Sequence, residues 1–330
     1  MYPDFLGIGA QKAGTTWLHR NLQEHPQIWM PREKELHYFD EKLKLEGGLL
    51  TRLRSDRPVD RRWRRQCASR FRHLPNKEFW KDLTWDLRYF FFPPNDKWYA
   101  SLFEPGRGKI TGETTPDYSI LDTDTIKHVH HIMPQAKIIF FMRNPIERPW
   151  SAADMGLRIS GRSLEEVPDR KVYRQFDRRR VRLMTNYMRT IENWGSFYPE
   201  EQIFVGFLED IHLAPVRLLR NLYRFLGVDP SVKYRVMTRK IHSGQQDTMP
   251  TRFAVYLAHT YLEQLQDLHE RFGGYASFWL YCAERLVNDP PEEEHIPYPL
   301  WESVLWEEWE GSRDMIKVRS GPLSSLGATS

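Results

Sequence analysis

Near the start of the chain lies a loop with the composition of a phosphate-binding loop. The sequence FLGIGAQKAGTTWL (5–18) contains Gly9 and Gly14, five residues apart, and two threonines follow Gly14. A nucleotide-binding P-loop has a lysine directly after its second glycine. Here Thr15 holds that position, and the lysine of the loop, Lys12, lies between the two glycines. The backbone N–H groups of such a loop, together with the N-terminus of a following helix, can bind a phosphate group.

A second candidate anion site follows a later apolar run. Residues 137–142 have the composition of a strand that is buried on both faces, and Arg143 comes directly after them. Asn144 and Pro145 predict the N-cap and the first residue of a helix that carries Ser151. A Mg²⁺-dependent nucleotide hydrolase has a carboxylate at the end of this strand. The sequence has arginine there, which predicts a second anion pocket and no metal site.

The order of strands and helices places both sites at one edge of a sheet. Apolar, β-prone runs alternate with helical patterns, which is typical of a three-layer α/β fold with a central parallel sheet flanked by helices. In such sheets, ligands bind at the carboxyl ends of the strands. The predicted strands are residues 5–8, 109–112, 137–142 and 203–207. The predicted helices include residues 15–24, a helix that carries Met184, Met188 and Ile191 and ends near Gly195, one closed by Gly227, and a long one that ends at Gly273 and Gly274.

The length of the chain is sufficient for one large domain. Charged residues make up 28% of it and aromatic residues 14%, which excludes a disordered protein. We expect a single domain over residues 1–288, with an irregular insertion rich in arginine and tryptophan at residues 41–100. Residues 289–330 are a predicted C-terminal extension, and we expect its last dozen residues to be frayed.

Charge and cysteine content restrict the partners and the compartment. The formal net charge is +4, but nine arginines lie between Arg52 and Arg72 and four more within residues 178–182. These clusters fit either solvated helix faces or attraction of a polyanionic ligand. Cys67 and Cys282 form neither a zinc motif nor a disulfide framework, and the sequence has no run of 18 apolar residues. We therefore expect a cytoplasmic protein, or one of the Golgi lumen if the natural chain has a membrane anchor beyond this sequence.

Three motifs together resemble the sulfotransferases that use 3′-phosphoadenosine 5′-phosphosulfate (PAPS), in particular the heparan-sulfate and carbohydrate branch. GAQKAGTTWL (9–18) resembles the 5′-phosphosulfate loop of that family, FFMRNPIERPWSAA (140–153) resembles its 3′-phosphate motif, and REKELHYFD (32–40) is similar to the stretch with the catalytic base. The resemblance covers about residues 4–230. It implies a P-loop-like fold, sulfuryl transfer without a metal, and adenosine 3′,5′-bisphosphate as the product nucleotide.

The resemblance also implies roles for individual residues. Glu35 is the implied base that takes the proton of an acceptor hydroxyl. We expect an extended chain here, which places His37, two residues further on, on the same side as Glu35, where it can orient either partner. Lys12 stabilises the oxygen of the leaving phosphate, which a lysine can do because the donor carries a single sulfate charge. The implied ligands of the phosphosulfate are Gln11, Lys12, Ala13, Gly14, Thr15, Thr16 and Trp17, and those of the 3′-phosphate are Arg143 and Ser151.

The sequence differs from the heparan-sulfate and carbohydrate branch at two places, one that concerns the acceptor and one that concerns the cofactor. Thr114 stands where the branch usually has a lysine that helps to hold substrate and sulfate. The branch also has a late loop that contacts the cofactor. Its nearest counterpart here is RKIHSGQ (239–245), from which we carry over Lys240, Ser243 and Gly244 as cofactor-binding residues.

Other functions stay open at the level of the residues. A P-loop kinase or nucleotide hydrolase that acts on a small molecule is the leading rival, although it needs Mg²⁺ and a carboxylate where Arg143 stands. A basic nucleic-acid-binding protein, with residues 52–72 on the phosphates, is the third possibility. Residues 33–35 also fit an ordinary solvated charge run.

For the sulfotransferase we expect a saccharide or another small-molecule alcohol as the acceptor. The basic insertion favours an anionic acceptor. We expect neither a nucleic-acid partner nor a membrane partner, and the oligomeric state is open.

Overall fold

The structure is a computed structural model, and it describes residues 1–41, 49–72, 77–232, 247–312 and 320–326. The strands in these residues are β1 (Phe5–Gly9), β2 (Ile28–Trp29), β3 (Ile110–Thr114), β4 (Lys137–Met142), β5 (Ile203–Phe207), β6 (Thr248–Pro250), β7 (His295–Pro297) and β8 (Gly321–Pro322). The α-helices are α1 (Thr15–Gln23), α2 (Tyr38–Glu41), α3 (Leu49–Arg54), α4 (Pro58–Phe71), α5 (Lys77–Phe91), α6 (Asp96–Ser101), α7 (Thr123–Ile132), α8 (Glu147–Ile159), α9 (Asp169–Phe176), α10 (Arg179–Thr185), α11 (Tyr187–Gly195), α12 (Leu208–Leu213), α13 (Pro215–Leu226), α14 (Thr251–Phe272), α15 (Gly274–Asn288) and α16 (Val304–Ser312).

The main sheet is mixed, with mostly parallel strands. Within the described residues its order is β2-β3-β1-β4-β5-β8, and neighbours are parallel except β5 and β8, which are antiparallel. Strands β1, β4 and β5 are buried almost throughout, as expected for parallel strands that helices cover on both faces. The predicted α/β fold is confirmed, and the C-terminal extension adds an antiparallel edge strand.

One edge of this sheet carries the candidate site residues. The carboxyl ends of parallel strands lie at the same edge of a sheet, and ligands bind there. Glu35 and His37 follow β2, the loop of residues 10–14 follows β1, and Arg143 follows β4. Because β3 and β1 lie between β2 and β4, these groups are arranged along the edge in the order base, loop, arginine.

The insertion at residues 41–100 is helical, so the prediction of irregular structure is wrong within the described part of it. Helices α3 to α6 occupy most of those residues. Arginine is a good helix former, so an arginine-rich stretch can be helical with few apolar residues. Trp63, Trp85 and Phe90 are buried. Trp63 donates to the backbone oxygen of Phe90 and so joins α4 to α5, and Trp85 belongs to the main hydrophobic core. These widely spaced aromatic residues do not form a recognisable helical period in the sequence.

Two buried carboxylates account for part of the arginine cluster. Asp60 is fully buried, and it accepts a hydrogen bond from Arg57 Nε at 2.7 Å while Arg52 Nε lies 3.4 Å away. Asp86 is 1% exposed, and Arg70 Nε lies 3.4 Å from it. A buried carboxylate without a cationic partner is strongly destabilising. These arginines therefore stabilise the fold of the insertion, and they are not free to bind a polyanion.

Two helix predictions need correction. The sequence predicts a helix that begins at Pro145 with Asn144 as its N-cap, but α8 begins at Glu147. The reason is that the Asn144 side chain accepts the N–H of Ile146 at 3.0 Å, which forms a turn before the helix. The single helix predicted around Met188 is two helices, α10 and α11. They separate at Asn186, whose side chain caps the first turn of α11 with a 3.1 Å hydrogen bond.

The C-terminal extension packs onto the domain. Strand β7 pairs with β6, and β8 pairs with β5. Ser320, Leu323 and Leu326 are buried, so the expectation of a frayed end is wrong for residues 320–326. The last four residues lie outside the described ranges. The predicted domain boundary at residue 288 stays a prediction.

The predicted long helix is confirmed as α14, which has 22 residues and ends before Gly273. Gly273 and Gly274 have φ values of 58° and 51°, and they turn the chain directly into α15. Among the helices in the described ranges, none combines the length and the apolar character needed to cross a membrane.

Candidate active site

The loop after β1 has the geometry of an anion-binding loop. Lys12 and Gly14 have positive φ values of 72° and 91°, a conformation found in backbone concavities that bind anions. Gly14 is the N-cap of α1, and no side chain in the described residues caps this helix end. The N–H groups of the first turn are therefore available to an anion, and the hydroxyls of Thr15 and Thr16 lie at the same helix end.

Helix α12 holds this loop in place. A Cβ atom on Gly14 would lie 2.2 Å from Cδ1 of Ile211, which is on α12. That distance is too short for any side chain, and the positive φ also favours glycine. The second glycine of the motif therefore serves the close packing of α12 against the loop as well as the approach of a ligand.

The side chain of Lys12 turns toward α8. Its Nζ atom lies 3.6 Å from Sδ of Met155. Burial, and then the neighbouring cations Arg143 and Arg158, lower the pKa of Lys12 to about 8. The ammonium group is thus poorly solvated and close to other positive charges, which suits it to bind a developing negative charge.

Arg143 connects the two anion sites. Its Nη1 donates a hydrogen bond to the backbone oxygen of Lys12 at 3.2 Å, and its Nε donates to Oε2 of Glu147 at 3.0 Å. Arg143 is 8% exposed and Glu147 is fully buried. Burial raises the pKa of Glu147, and the Arg143 guanidinium opposes that rise. Ser151, one turn further along α8 and also 8% exposed, completes the predicted pair.

The other predicted cofactor residues fall into three groups. Gln11 is half-buried on the loop. The side chains of Ala13 and Trp17 belong to the hydrophobic core. The backbone N–H of Ala13 donates to the oxygen of Ala10 at 3.2 Å, whereas that of Trp17 lies in the first turn of α1, where it can bind a ligand. The third group lies outside the described residues and comprises Lys240, Ser243 and Gly244.

Glu35 and His37 form a contact pair after β2. His37 Nε2 lies 3.4 Å from Oε2 of Glu35, and His37 Nδ1 lies 2.9 Å from Oδ2 of Asp40. Lys34 Nζ donates to Oε1 of Glu35 at 2.8 Å. His37 has a φ of 55°, so the extended chain expected over these residues is wrong. The two side chains meet because the chain turns at His37, immediately before α2.

These contacts make Glu35 a carboxylate and His37 an imidazolium. Burial alone raises the pKa of Glu35, but hydrogen bonds from His37 and Lys34 lower it to about 2. Burial alone lowers the pKa of His37, but hydrogen bonds with Asp40 and Glu35 raise it to about 10. Glu35 is therefore ionised at neutral pH, and it is a weaker base than an isolated glutamate.

Glu33 has its own partners on α4. It accepts a hydrogen bond from Gln66 Nε2 on α4 at 3.1 Å. Glu35, with 31% of its side chain exposed, borders the cleft next to it instead. This geometry favours Glu35 over Glu33 as the base.

Thr114 differs from the lysine that the resemblance implies at its position. It is fully buried at the end of β3, and its hydroxyl lies 3.0 Å from Nδ1 of His19. Burial, and then the charge of Lys34, lower the pKa of His19 to about 4. The cations that contact the candidate base are instead Lys34 and His37, both on the β2 side of the site.

One group of side chains has the spacing of a metal site. The ligand atoms of His37, Asp40 and Asp117 lie within 4.8 Å of one another. However, both nitrogens of His37 face carboxylates, and Arg180 forms an ion pair with Asp117. A metal ion would have to replace a proton and compete with a guanidinium. The predicted absence of a catalytic metal stays a prediction.

A cleft opens between the Glu35–His37 pair and the insertion. The indole N–H groups of Trp63 and Trp98 donate to the backbone oxygens of Phe90 and Arg88, so their polar atoms are satisfied and only their rings can contact a ligand. The lining also includes Glu35, His37, Arg52, Arg62, Tyr89 and Phe92.

Two arginines line this cleft, and one of them, Arg52, is already paired with Asp60. Arg62 is half-buried on α4, and its charge opposes protonation of His37. In the described ranges no carboxylate forms an ion pair with it. An anionic ligand group in the cleft would therefore meet an unpaired guanidinium close to the candidate base.

Sequence reasoning missed the residues that position the predicted ones. Glu147 and Asp40 had a detectable signal, because they lie four and three residues after Arg143 and His37, which is one helical turn. Asp117 had no such signal, because its contact with the base pair arises only when β3 lies beside β2.

Comparison with known proteins identifies the family. A solved sulfotransferase from Alicyclobacillus acidocaldarius has the same fold, with a TM-score of 0.56 and 22% identity, and the match covers 82% of this chain and 95% of that one. A sequence model of the sulfotransferase family matches residues 3–231. The chain belongs to the sulfotransferase family.

Curated relatives agree with this assignment. The membrane-associated sulfotransferase kil1 of Dictyostelium discoideum is 28% identical over 149 residues, which is 45% of this chain and 22% of that protein. The bifunctional heparan sulfate N-deacetylase/N-sulfotransferase of Drosophila melanogaster is 22% identical over 253 residues, which is 70% of this chain and 20% of that protein. The chain thus spans about a fifth of the length of these relatives.

Proposed function

We propose that this protein transfers a sulfuryl group from PAPS to an acceptor hydroxyl. The observation that carries the proposal is the 3.2 Å hydrogen bond from Arg143 to the backbone oxygen of Lys12. It joins an uncapped helix N-terminus after β1 to a buried arginine after β4, on adjacent parallel strands. PAPS has two separate anionic groups, the 5′-phosphosulfate and the 3′-phosphate, and it needs two linked anion pockets of this kind.

The two pockets would divide the donor between them. The loop N–H groups and the hydroxyls of Thr15 and Thr16 bind the phosphosulfate, and Arg143 and Ser151 bind the 3′-phosphate. Lys12 stabilises the negative charge that develops on the oxygen between phosphorus and sulfur. Fixed positive groups that meet developing charge usually supply the largest single part of such catalysis.

Glu35 would accept the proton of the acceptor. A new S–O bond forms to the acceptor oxygen, and the S–O bond of the donor breaks with its electron pair staying on the 5′-phosphate. The acceptor proton passes to the Glu35 carboxylate. His37 and Lys34 hold that carboxylate ionised and in place through the contacts at 3.4 and 2.8 Å.

The cleft over Glu35 favours an acceptor that has a ring and an anionic group. Sugar and aromatic rings pack well on aromatic side chains, and the exposed Phe92 and the half-buried Tyr89 line this cleft, whereas Trp63 and Trp98 are buried. Arg62 supplies a cation for a carboxylate or sulfate on the same molecule. A relative named for heparan sulfate, an anionic saccharide, supports a saccharide acceptor. Because that relative is an N-sulfotransferase, amines belong in the acceptor panel together with alcohols.

Family membership favours sulfuryl transfer over the kinase and nucleic-acid-binding alternatives. The arginines that pair with Asp60 and Asp86 also weaken the nucleic-acid alternative, because a polyanion would have to displace buried carboxylates. We retain the predictions of metal-independent activity and of a cytoplasmic location.

A transfer assay tests the proposal. The protein is incubated in EDTA with PAPS and a panel of sugars, uronic acids, phenols, alcohols and amines, and mass spectrometry detects an added SO₃ group and adenosine 3′,5′-bisphosphate. We expect a sulfated alcohol or phenol from the wild type and far less from Glu35→Gln. Activity that requires Mg²⁺ and ATP and yields a phosphorylated product would support the kinase instead. If only amines are sulfated, the acceptor group is an amine and not a hydroxyl.

A further inference from the structure

A segment beyond the part of the chain matched by the family model reaches the predicted 3′-phosphate pocket. The match ends at residue 231, whereas residues 295–300 lie against Arg143 and Ser151. We propose that Tyr298 is a third ligand of the 3′-phosphate and that residues 295–300 form a wall of its pocket. This inference rests on the proposed function, because it concerns the same nucleotide.

Three polar groups converge at one point. The Tyr298 hydroxyl accepts a hydrogen bond from Nη2 of Arg143, and it also hydrogen-bonds to Ser151. The guanidinium carbon of Arg143 lies 5.2 Å from the centre of the Tyr298 ring. The hydroxyl therefore lies between the two side chains that were assigned to the 3′-phosphate from the sequence.

One buried carboxylate holds both the arginine and the segment. Oε2 of Glu147 accepts from Arg143 Nε at 3.0 Å, and Oε1 of the same group accepts the N–H of Leu300 at 2.7 Å. The backbone N–H of Tyr298 donates to the oxygen of Asp247 at 2.9 Å, next to the β6–β7 pairing. These backbone hydrogen bonds fix Tyr298 on both sides along the chain, so its side chain is an ordered part of the pocket.

The contacts of Arg143 indicate where the phosphate binds. Nε and Nη2 both face Oε2 of Glu147 at 3.0 Å, Nη1 donates to the Lys12 backbone, and Nη2 also donates to the Tyr298 hydroxyl. A phosphate that binds Arg143 on the Nη2 side must therefore meet the Tyr298 hydroxyl. A phenol hydroxyl can rotate to donate to a phosphate oxygen while the arginine and the serine donate to others. Burial raises the pKa of Tyr298, so the hydroxyl keeps its proton and remains a donor.

Nucleotide binding to Tyr298→Phe tests the inference, because this change removes only the hydroxyl. Calorimetric titrations compare adenosine 3′,5′-bisphosphate with adenosine 5′-phosphate, which lacks the 3′-phosphate, and weak binding is measured by displacement. We expect Tyr298→Phe to bind the bisphosphate about ten- to a hundredfold more weakly and the monophosphate as the wild type does. Tyr281→Phe is the matched control, because its hydroxyl donates to Glu308 at 2.9 Å on α16, away from Arg143.

Three results would overturn the inference. Unchanged binding of the bisphosphate, or equal losses for both nucleotides, would remove Tyr298 from the phosphate ligands. Tighter binding of the bisphosphate would show that the hydroxyl occupies the place of the phosphate and competes with it. If the wild type binds no bisphosphate, the proposed function fails and the inference fails with it. If the wild type binds it and Tyr298→Phe is unaffected, the inference alone fails.

Discussion

Lys12 should impose a basic limit on the reaction near pH 8. Burial beside Arg143 and Arg158 lowers its pKa to about 8, from an ordinary lysine value of 10.5. The charged fraction then falls from about nine-tenths at pH 7 to about one-tenth at pH 9. If only the ammonium form stabilises the leaving phosphate, kcat/KM for PAPS falls about tenfold over that range. An ordinary surface lysine would leave the rate nearly flat to pH 9.

Initial rates between pH 6 and pH 9.5 measure this limit, because kcat/KM reports the pKa values of the free enzyme. Arg158→Gln should move the limit to higher pH, since it removes a cation that lowers the pKa of Lys12. Lys12→Arg should be slower but free of the limit, because guanidinium does not titrate in this range. A basic limit at pH 8 that persists in Lys12→Arg would refute the assignment of this titration to Lys12.

Three further predictions concern the base and the acceptor cleft. Glu35→Gln should lower kcat about 10²–10⁴-fold with little change in the binding of adenosine 3′,5′-bisphosphate. Glu33→Gln alters a contact with α4 and should leave kcat nearly unchanged. If Glu33→Gln lowers kcat more than Glu35→Gln does, the base is Glu33. The folded pKa of His37, about 10, lies above its unfolded value of 6.5, so its contribution to stability is complete below pH 6.5 and is lost as the pH rises toward 10. The free energy of unfolding in urea should show this loss in the wild type and not in His37→Asn, a substitution chosen because asparagine tolerates a positive φ. The same pH dependence of the unfolding free energy in both proteins would contradict the prediction. Arg62→Ala should raise the KM of an acceptor that has a carboxylate about tenfold or more, relative to the KM of its neutral analogue. Arg65 is exposed, and Arg65→Ala should leave both KM values unchanged. Equal effects of the two substitutions would exclude a specific contact of Arg62 with the carboxylate.

The parallel strands and the two anion motifs could be predicted because their signals are local. A strand buried on both faces is a continuous apolar run, and β1, β4 and β5 each have one. A phosphate-binding loop has its glycines and its hydroxyls within a few residues, as in residues 9–16. The order of residue types along the chain therefore predicts both the strands and the anion-binding residues that follow them.

The remainder depends on tertiary contacts that the sequence does not display. The arginine-rich helix α4 buries Asp60 beside arginines, and helix α5, which is not rich in arginine, buries Asp86 beside Arg70 of α4. In the sequence these two carboxylates look like any other surface charges. The contact of Tyr298 with Arg143 joins residues 155 positions apart. The pairing of Glu35 with His37 was expected from an extended chain, but it arises from a turn at His37.

The most direct measurement of the central claim is a calorimetric titration of the wild-type protein with adenosine 3′,5′-bisphosphate in EDTA, beside a titration with ATP and Mg²⁺. Two linked anion pockets, with an arginine at the end of β4, predict saturable binding of the bisphosphate without metal and weaker binding of ATP that Mg²⁺ does not improve. In Arg143→Ala the bisphosphate should bind about ten- to a hundredfold more weakly, because a charge-assisted contact to its 3′-phosphate is lost. Tight, Mg²⁺-dependent binding of ATP together with no detectable binding of the bisphosphate would contradict the account.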